Sequence, residues 1–331
     1  MMNETMQYVT LGRTGLRTSK VALGTGGRSR FGQDRDEADK AASRLVARAW
    51  DLGINLFDTS PAYGESERML GRALRELGIV DDAVLATKVI PTQAPESPGE
   101  TPLPKDPAQI AESVEQSLRH LGRETIDILM LHGVDPSVYR SVREHVYPVI
   151  VKLRDEGKIR ALGISESAHR DVTQEMLGEA LRDDLFDVIM ARFNLVHQGV
   201  RHRLCPAAQR QNVGLMAVCP VEPPLHQPAE MRAWAESWRR AGKVSEQALA
   251  EDDPVAGWIG EGPKAMVDSA MRFAAHEPGV GVVVTGTSSP EHLAHNVQAA
   301  LTGPLDAEAH ERLHELYGGL EEGRVWMMQE Q

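Results

Sequence analysis

The chain is poor in cysteine and in aromatic residues, and it lacks both long apolar runs and long basic runs. Only Cys205 and Cys219 occur in 331 residues. Two thiols exclude a disulfide framework and fit a reducing compartment, so a cytoplasmic location is expected. Aromatic residues are 5% of the chain against 41% hydrophobic residues in all. The core must therefore be aliphatic, built from Leu, Val, Ile and Ala. No apolar stretch approaches the ~20 residues of a membrane-spanning helix. The opening MMNETMQYVTLGRTG has no apolar centre of the kind a signal peptide needs. With 36 basic and 48 acidic residues the formal charge is −12, so nucleic acids and anionic membranes are poor partners.

What is present is a regular alternation. Short apolar runs occur at Val21–Thr25, Ile54–Asp58, Ala83–Lys88, Asp127–His132, Ile159–Ser165, Phe186–Met190, Val213–Val218 and Val280–Thr285. They are nearly continuous in Val, Ile, Leu, Ala and Met, the mark of strands buried on both faces. Helical segments lie between them. The clearest covers 107–121: Asp106 caps it, Pro107 takes the first position, Ile110, Val114, Leu118 and Leu121 line one face, and Gly122 stops it. Gln7–Leu16 reads as a small hairpin with its turn at Gly12–Gly15. Eight strand–helix units without a second core predict one closed (β/α)8 TIM barrel, a single domain over 1–331. An open doubly wound sheet is the alternative, but Gly24-Thr25-Gly26-Gly27-Arg28-Ser29 lacks the third glycine of a dinucleotide-binding loop.

Three connections exceed ordinary loop length. Pro91–Pro107, Gly133–Val146 and Pro220–Pro263 follow the third, fourth and seventh barrel strands; the last contains Trp234, Trp238 and Trp258. In a barrel all three stand at the C-terminal face, where active sites form. They serve either as pocket walls or as surface excursions that pack their own tryptophans.

Leu56–Gly71, LFDTSPAYGESERMLG, holds the centre of the chemistry. It ends a strand on Asp58, turns through Ser60, Pro61 and Gly64, and sets Tyr63 in that turn. Alone, Asp58 could merely cap a loop and Tyr63 merely pack on the surface. In a barrel, however, Lys88 and His132 end the next two strands and converge on the same rim. An ammonium at Lys88, oriented by Asp58, stabilises phenolate and lowers the pKa of Tyr63. Tyr63 can then protonate a carbonyl oxygen that gains negative charge, while His132 hydrogen-bonds the same oxygen. These groups move protons and no electrons, so a bound hydride carrier is the natural supplement.

The segments LGRTGL, VALGTGG, DTSPAYGESERMLGRAL, LATK, LMLH, LRDEGKIRALGIS and TGTSSPEHLAHN resemble the aldo-keto reductase family over essentially the whole chain. The resemblance implies a (β/α)8 barrel that uses a nicotinamide cofactor, and it matches Asp58, Tyr63, Lys88 and His132 to the catalytic set. It further implies cofactor contacts at Gly24, Thr25, Ser165, Glu166, Met190, Gly286, Thr287, Ser288 and Asn296. Glu166 stands where relatives carry Asn, and Met190 where they carry Gln. NADP(H) is implied, with NAD(H) the alternative, because no Arg or Lys lies between Thr285 and Asn296. The expected substrate is a small carbonyl compound. The alternative on the same fold is a non-catalytic nucleotide-binding regulatory subunit.

Two motifs compete with this reading. His310-Glu311-Arg312-Leu313-His314 matches the zinc-protease pattern HExxH. The glycine and third histidine of its extended form are missing, with Tyr317 where the glycine belongs. A solvated helix face is the expectation, and no metal site. Cys219 follows a strand end, and a buried inert thiol is expected there.

Overall fold

A computed structural model describes residues 5–320 except 28, 96, 98, 223, 224, 226 and 245–261. Trp258 and Trp326 lie outside the described residues.

A short antiparallel pair, β1 (Tyr8–Thr10) and β2 (Arg17–Ser19), precedes eight parallel strands. These are β3 (Val21–Gly24), β4 (Leu56–Asp58), β5 (Val84–Val89), β6 (Ile126–Val134), β7 (Ile159–Glu166), β8 (Val188–Arg192), β9 (Gly214–Val218) and β10 (Val282–Gly286). They pair in chain order and close through β10 against β3. The sheet is closed, so the open doubly wound alternative is set aside.

Strand alternation divides the core into two layers. Leu56, Ala86, Ile128, Met130, Ala161, Val188, Met190, Met216, Val282 and Val284 fill the barrel interior. Their neighbours, such as Phe57, Leu85, Leu129, Leu162 and Ile189, pack outward on the helices. Leu11 and Leu16 of the hairpin join the interior cluster. The hairpin therefore plugs the N-terminal mouth, and Arg13 ties it to Asp187 at 3.1 Å and to Asp184.

The helix at Pro107–Leu121 forms as its sequence dictates. Asp106 and Gln109 make a reciprocal capping box, and Gly122 closes it in the left-handed conformation at φ 71°. The connection after β6 differs from the long loop expected. β6 runs past His132 to Val134, and a helix follows at Pro136–His145. Asp135 accepts from the Ser137 N–H at 2.9 Å, Pro136 takes the first turn, and Val138, Tyr139 and Val142 are buried. Capping and one apolar face outweighed the polar composition of the segment. After β9 a helix forms at Pro228–Arg240, whose Trp234 and Trp238 meet edge-on at 5.3 Å. Trp238 also packs on Tyr317 of the helix at Ala307–Tyr317, which makes this pair part of the core. No helix among the described residues is long and apolar enough to cross a membrane.

Candidate active site

Period-two alternation decides which side chains reach the C-terminal mouth. Asp58 lies two residues beyond Leu56, Lys88 beyond Ala86, His132 beyond Met130 and Ser165 beyond Gly163. All four share the interior parity and stand one level above the apolar plug. Strand register makes them neighbours, because Asp58 pairs with Ala86, Lys88 with Met130 and Ser165 with Met190.

Lys88 is the centre of the site. Its Nζ donates to Asp58 Oδ1 at 2.6 Å and to the Thr59 carbonyl at 2.8 Å. Both charged residues are almost wholly buried. Burial pulls the ammonium down, but Asp58 and Tyr63 outweigh it and hold Lys88 above its usual pKa. The Nζ sits 4.9 Å from the centre of the Tyr63 ring. The net direction at Tyr63 differs from the sequence expectation. Burial pushes the phenol up, and the lowering by Lys88 offsets only part of that. Tyr63 is therefore held as the neutral phenol, the form that a proton donor requires.

His132 meets the Tyr63 ring edge-on, 5.7 Å between centroids and 87° between planes. Burial first and the Lys88 charge second lower its pKa to about 3. The imidazole is thus neutral at ordinary pH. Its Nδ1 faces Ser60 Oγ at 3.3 Å.

The turn carrying Tyr63 is fixed from outside its own segment. Gln33, in the connection after β3, donates to the Tyr63 carbonyl at 2.7 Å and accepts from the Glu65 N–H at 3.0 Å. Gly64 has φ +64°, and a side chain there would strike the Gln33 amide at 2.5 Å. Gly26 has no Cβ to collide with the Tyr63 ring, which would lie 2.7 Å from one. The β3 connection is itself strained: Arg30, Phe31 and Gly32 have φ of 42°, 56° and 77°. Buried Phe31 anchors it, and such strain persists only where surrounding packing enforces it.

A cavity of about 200 Å³ opens beside Tyr63, lined by Thr25, Gly26, Gly27, Arg30, Ala62 and Gly64. The Thr25 hydroxyl is buried and has no hydrogen-bond partner among the described residues. An orphaned hydroxyl and a glycine-floored cavity beside Tyr63 fit a polar, planar group bound against the mouth. Gly24 and Gly286 are paired across the β3–β10 seam at the same rim.

The remaining expected cofactor positions divide. Ser165 Oγ accepts from the Gly133 N–H at 3.0 Å at the mouth. Met190 is in the interior cluster. Glu166 has the opposite parity, that of Ile164, and joins a different group. Its Oε1 accepts from the Arg192 N–H at 2.6 Å, and its Oε2 has no partner among the described residues. Burial pushes this carboxyl up to about 8. It borders a small cavity with Asp171, Gln174, Arg192 and His197, where Arg192 makes a two-pronged ion pair with Glu222 at 2.8 and 2.9 Å.

Beside the β3–β10 seam, Asn296 donates to Thr285 Oγ1 at 2.8 Å, and Thr287 Oγ1 accepts from the Ser289 N–H at 3.1 Å. Ser289 caps the helix Pro290–Leu301. Ser288 is reached by a cation that no local pattern revealed. Arg35 donates to Ser288 Oγ at 2.8 Å and to its carbonyl at 3.1 Å. Among the described residues Arg35 makes no ion pair. Arg35 and Gln33 lie far from their partners in sequence, and only the folded loop after β3 brings them together.

The competing motifs resolve differently. His310 stacks on Phe273 at 5.3 Å beside the Arg201–Glu277 pair, and His314 contacts Gln198 at 3.2 Å. That helix face is packed rather than solvated, and no metal-holding cluster exists among the described residues. Burial pushes the Cys219 thiol up to about 12, which makes it a poor nucleophile.

Comparison with known proteins matches the aldo/keto reductase family model over residues 22–318. The aldo-keto reductase YhdN of Bacillus subtilis is 37% identical over 165 residues, 48% of this chain and 47% of that one. The NADH-specific methylglyoxal reductase of Escherichia coli is 28% identical over 323 residues, 92% of this chain and 96% of that one. The holo form of aldo-keto reductase AKR11C1 from Bacillus halodurans shares the fold, with TM-score 0.69, 23% identity, and coverage of 98% and 99% of the two chains. With the barrel, the buried Asp–Lys pair, the tyrosine turn and a family match across nearly its full length, the chain belongs to the aldo/keto reductase family.

Proposed function

We propose that the protein is a cytoplasmic carbonyl reductase that acts on an aldehyde or ketone, or oxidises the corresponding alcohol. Tyr63 is the general acid in reduction. The observation that carries this reading is the Lys88 ammonium, 2.6 Å from Asp58 and 4.9 Å from the Tyr63 ring centre. A proton leaving Tyr63 creates a phenolate beside a fixed cation, so the charge is stabilised where it develops. Asp58 keeps Lys88 charged and aimed. His132 is neutral and donates one hydrogen bond to the carbonyl oxygen without competing for the proton.

A nicotinamide cofactor, when bound, supplies the hydride. Gly24, Thr25 and Ser165 would hold its reactive end beside Tyr63; Gly286, Thr287, Ser288 and Asn296 would hold its adenosine end. The connection after β3 reaches both places, with Arg30 at the cavity and Arg35 at Ser288. Arg35 supplies the positive charge that the segment after β10 lacks, which supports NADP(H) over NAD(H) through a charge-assisted contact to a phosphate. Met190 completes the proposed set from the barrel interior, whereas Glu166 faces Arg192 in the neighbouring small cavity.

Incubation with NADPH or NADH and a panel of small aldehydes and ketones tests the reading by loss of reduced-cofactor absorbance. Turnover is expected. Tight cofactor binding with no turnover across the panel would favour the regulatory-subunit alternative.

A further inference from the structure

We infer that Ser60 is a positioning residue that fixes His132 as the tautomer protonated on Nε2, a role that rests on the proposed carbonyl chemistry. Ser60 is wholly buried, so its hydroxyl hydrogen must find an acceptor inside the protein. Its oxygen already accepts from the Ala62 N–H at 3.1 Å, the cap of the short helical turn Pro61–Tyr63. The other partner of Ser60 Oγ is His132 Nδ1 at 3.3 Å. Were Nδ1 protonated, it would donate to Ser60 and leave the buried hydroxyl hydrogen without an acceptor. The arrangement that satisfies every group runs from Ala62 N–H to Ser60 Oγ, and from Ser60 O–H to Nδ1.

The single imidazole proton then sits on Nε2. No protein partner takes that N–H among the described residues, so it is free for a carbonyl oxygen at the mouth. Protonation of both nitrogens is disfavoured by burial and by the neighbouring Lys88 charge. Lys88 acts on the ring from β5, and Tyr63 meets it edge-on from the turn. One hydroxyl thus serves two elements of the site. It caps the turn that carries the acid, and it selects which nitrogen of the imidazole donates. The general rule is that the partner of one ring nitrogen sets the role of the other.

Long-range ¹H–¹⁵N correlation spectra of the full chain, labelled with ¹⁵N-histidine, test the inference directly. His132 is assigned by the signal lost in His132→Gln. The expected wild-type pattern is an unprotonated Nδ1 and a protonated Nε2. Ser60→Ala should introduce the Nδ1-protonated form and lower kcat about tenfold, with NADPH affinity unchanged. Ser60→Thr, which keeps the hydroxyl, should restore the wild-type tautomer and most of kcat. A wild-type His132 protonated on Nδ1 would overturn the inference, as would Ser60→Ala with an unaltered tautomer. The spectrum needs no turnover. The predicted tautomer in a protein that reduces no carbonyl would therefore count against the proposed reaction alone, and efficient reduction with the opposite tautomer against the Ser60 role alone.

Discussion

Lys88 Nζ and Asp58 Oδ1 lie 2.6 Å apart, both almost wholly buried, at the ends of adjacent strands. Removing either partner leaves the other charged and without its counter-ion. Asp58→Asn is expected to destabilise the fold by ~3–5 kcal/mol, measured by denaturant unfolding. Lys88→Met removes the cation beside Tyr63 and is expected to lower kcat by about 10²–10⁴, with cofactor affinity largely retained.

Glu166 gives stability a pH dependence of definite sign. Its folded-state pKa of about 8 stands above the ordinary carboxyl value of 4.5. Between those values the folded protein holds one more proton than the unfolded chain, so stability falls as pH rises through this window. Glu166→Gln should remove that slope. The variant should gain Tm relative to wild type at pH 8 and gain little at pH 5.

His132 contributes the opposite slope. Its pKa is about 3 in the folded state against 6.5 for the free side chain. Below pH 6.5 the unfolded chain takes up a proton that the folded protein refuses, so stability falls as pH drops towards 3. His132→Gln should flatten the acid limb of a Tm-against-pH curve.

Arg35→Ala should weaken NADPH binding about tenfold and leave NADH binding nearly unchanged, because only the former carries a 2′-phosphate for the guanidinium to meet. Fluorescence titration with each cofactor measures this without turnover. Equal losses for both cofactors would assign Arg35 to the loop's structure instead.

Leu11→Ala separates scaffold from chemistry. Leu11 is fully buried in the interior cluster at the barrel's closed end. The variant should lose ~2–5 kcal/mol of stability while kcat at permissive temperature stays at the wild-type value.

The barrel was legible because strands buried on both faces read as continuous apolar runs, and eight of them alternated with capped helices. Asp58, Lys88 and His132 followed, since each ends such a run two residues past an interior position. The same period-two rule separates Glu166 from Ser165, although family resemblance alone groups them at one site. Pro136–His145 forms a helix where a long connection is expected, although Asp135-Pro136 and the spacing of Val138, Tyr139 and Val142 carry its signal. Gln33, Arg35 and the hydroxyl of Ser60 were not, because their roles depend on a loop with three consecutive positive φ values and on contacts between distant segments. The net direction of the Tyr63 shift was also hidden. The sequence names the cation that lowers the pKa but not the burial that outweighs it.

Tyr63→Phe is the most direct test. It removes one hydroxyl and keeps the ring that packs against Gly26 and His132. Steady-state reduction of the best aldehyde should fall by about 10²–10⁴, while fluorescence titration gives an unchanged NADPH affinity. Turnover equal to that of the wild type would contradict Tyr63 as the proton donor.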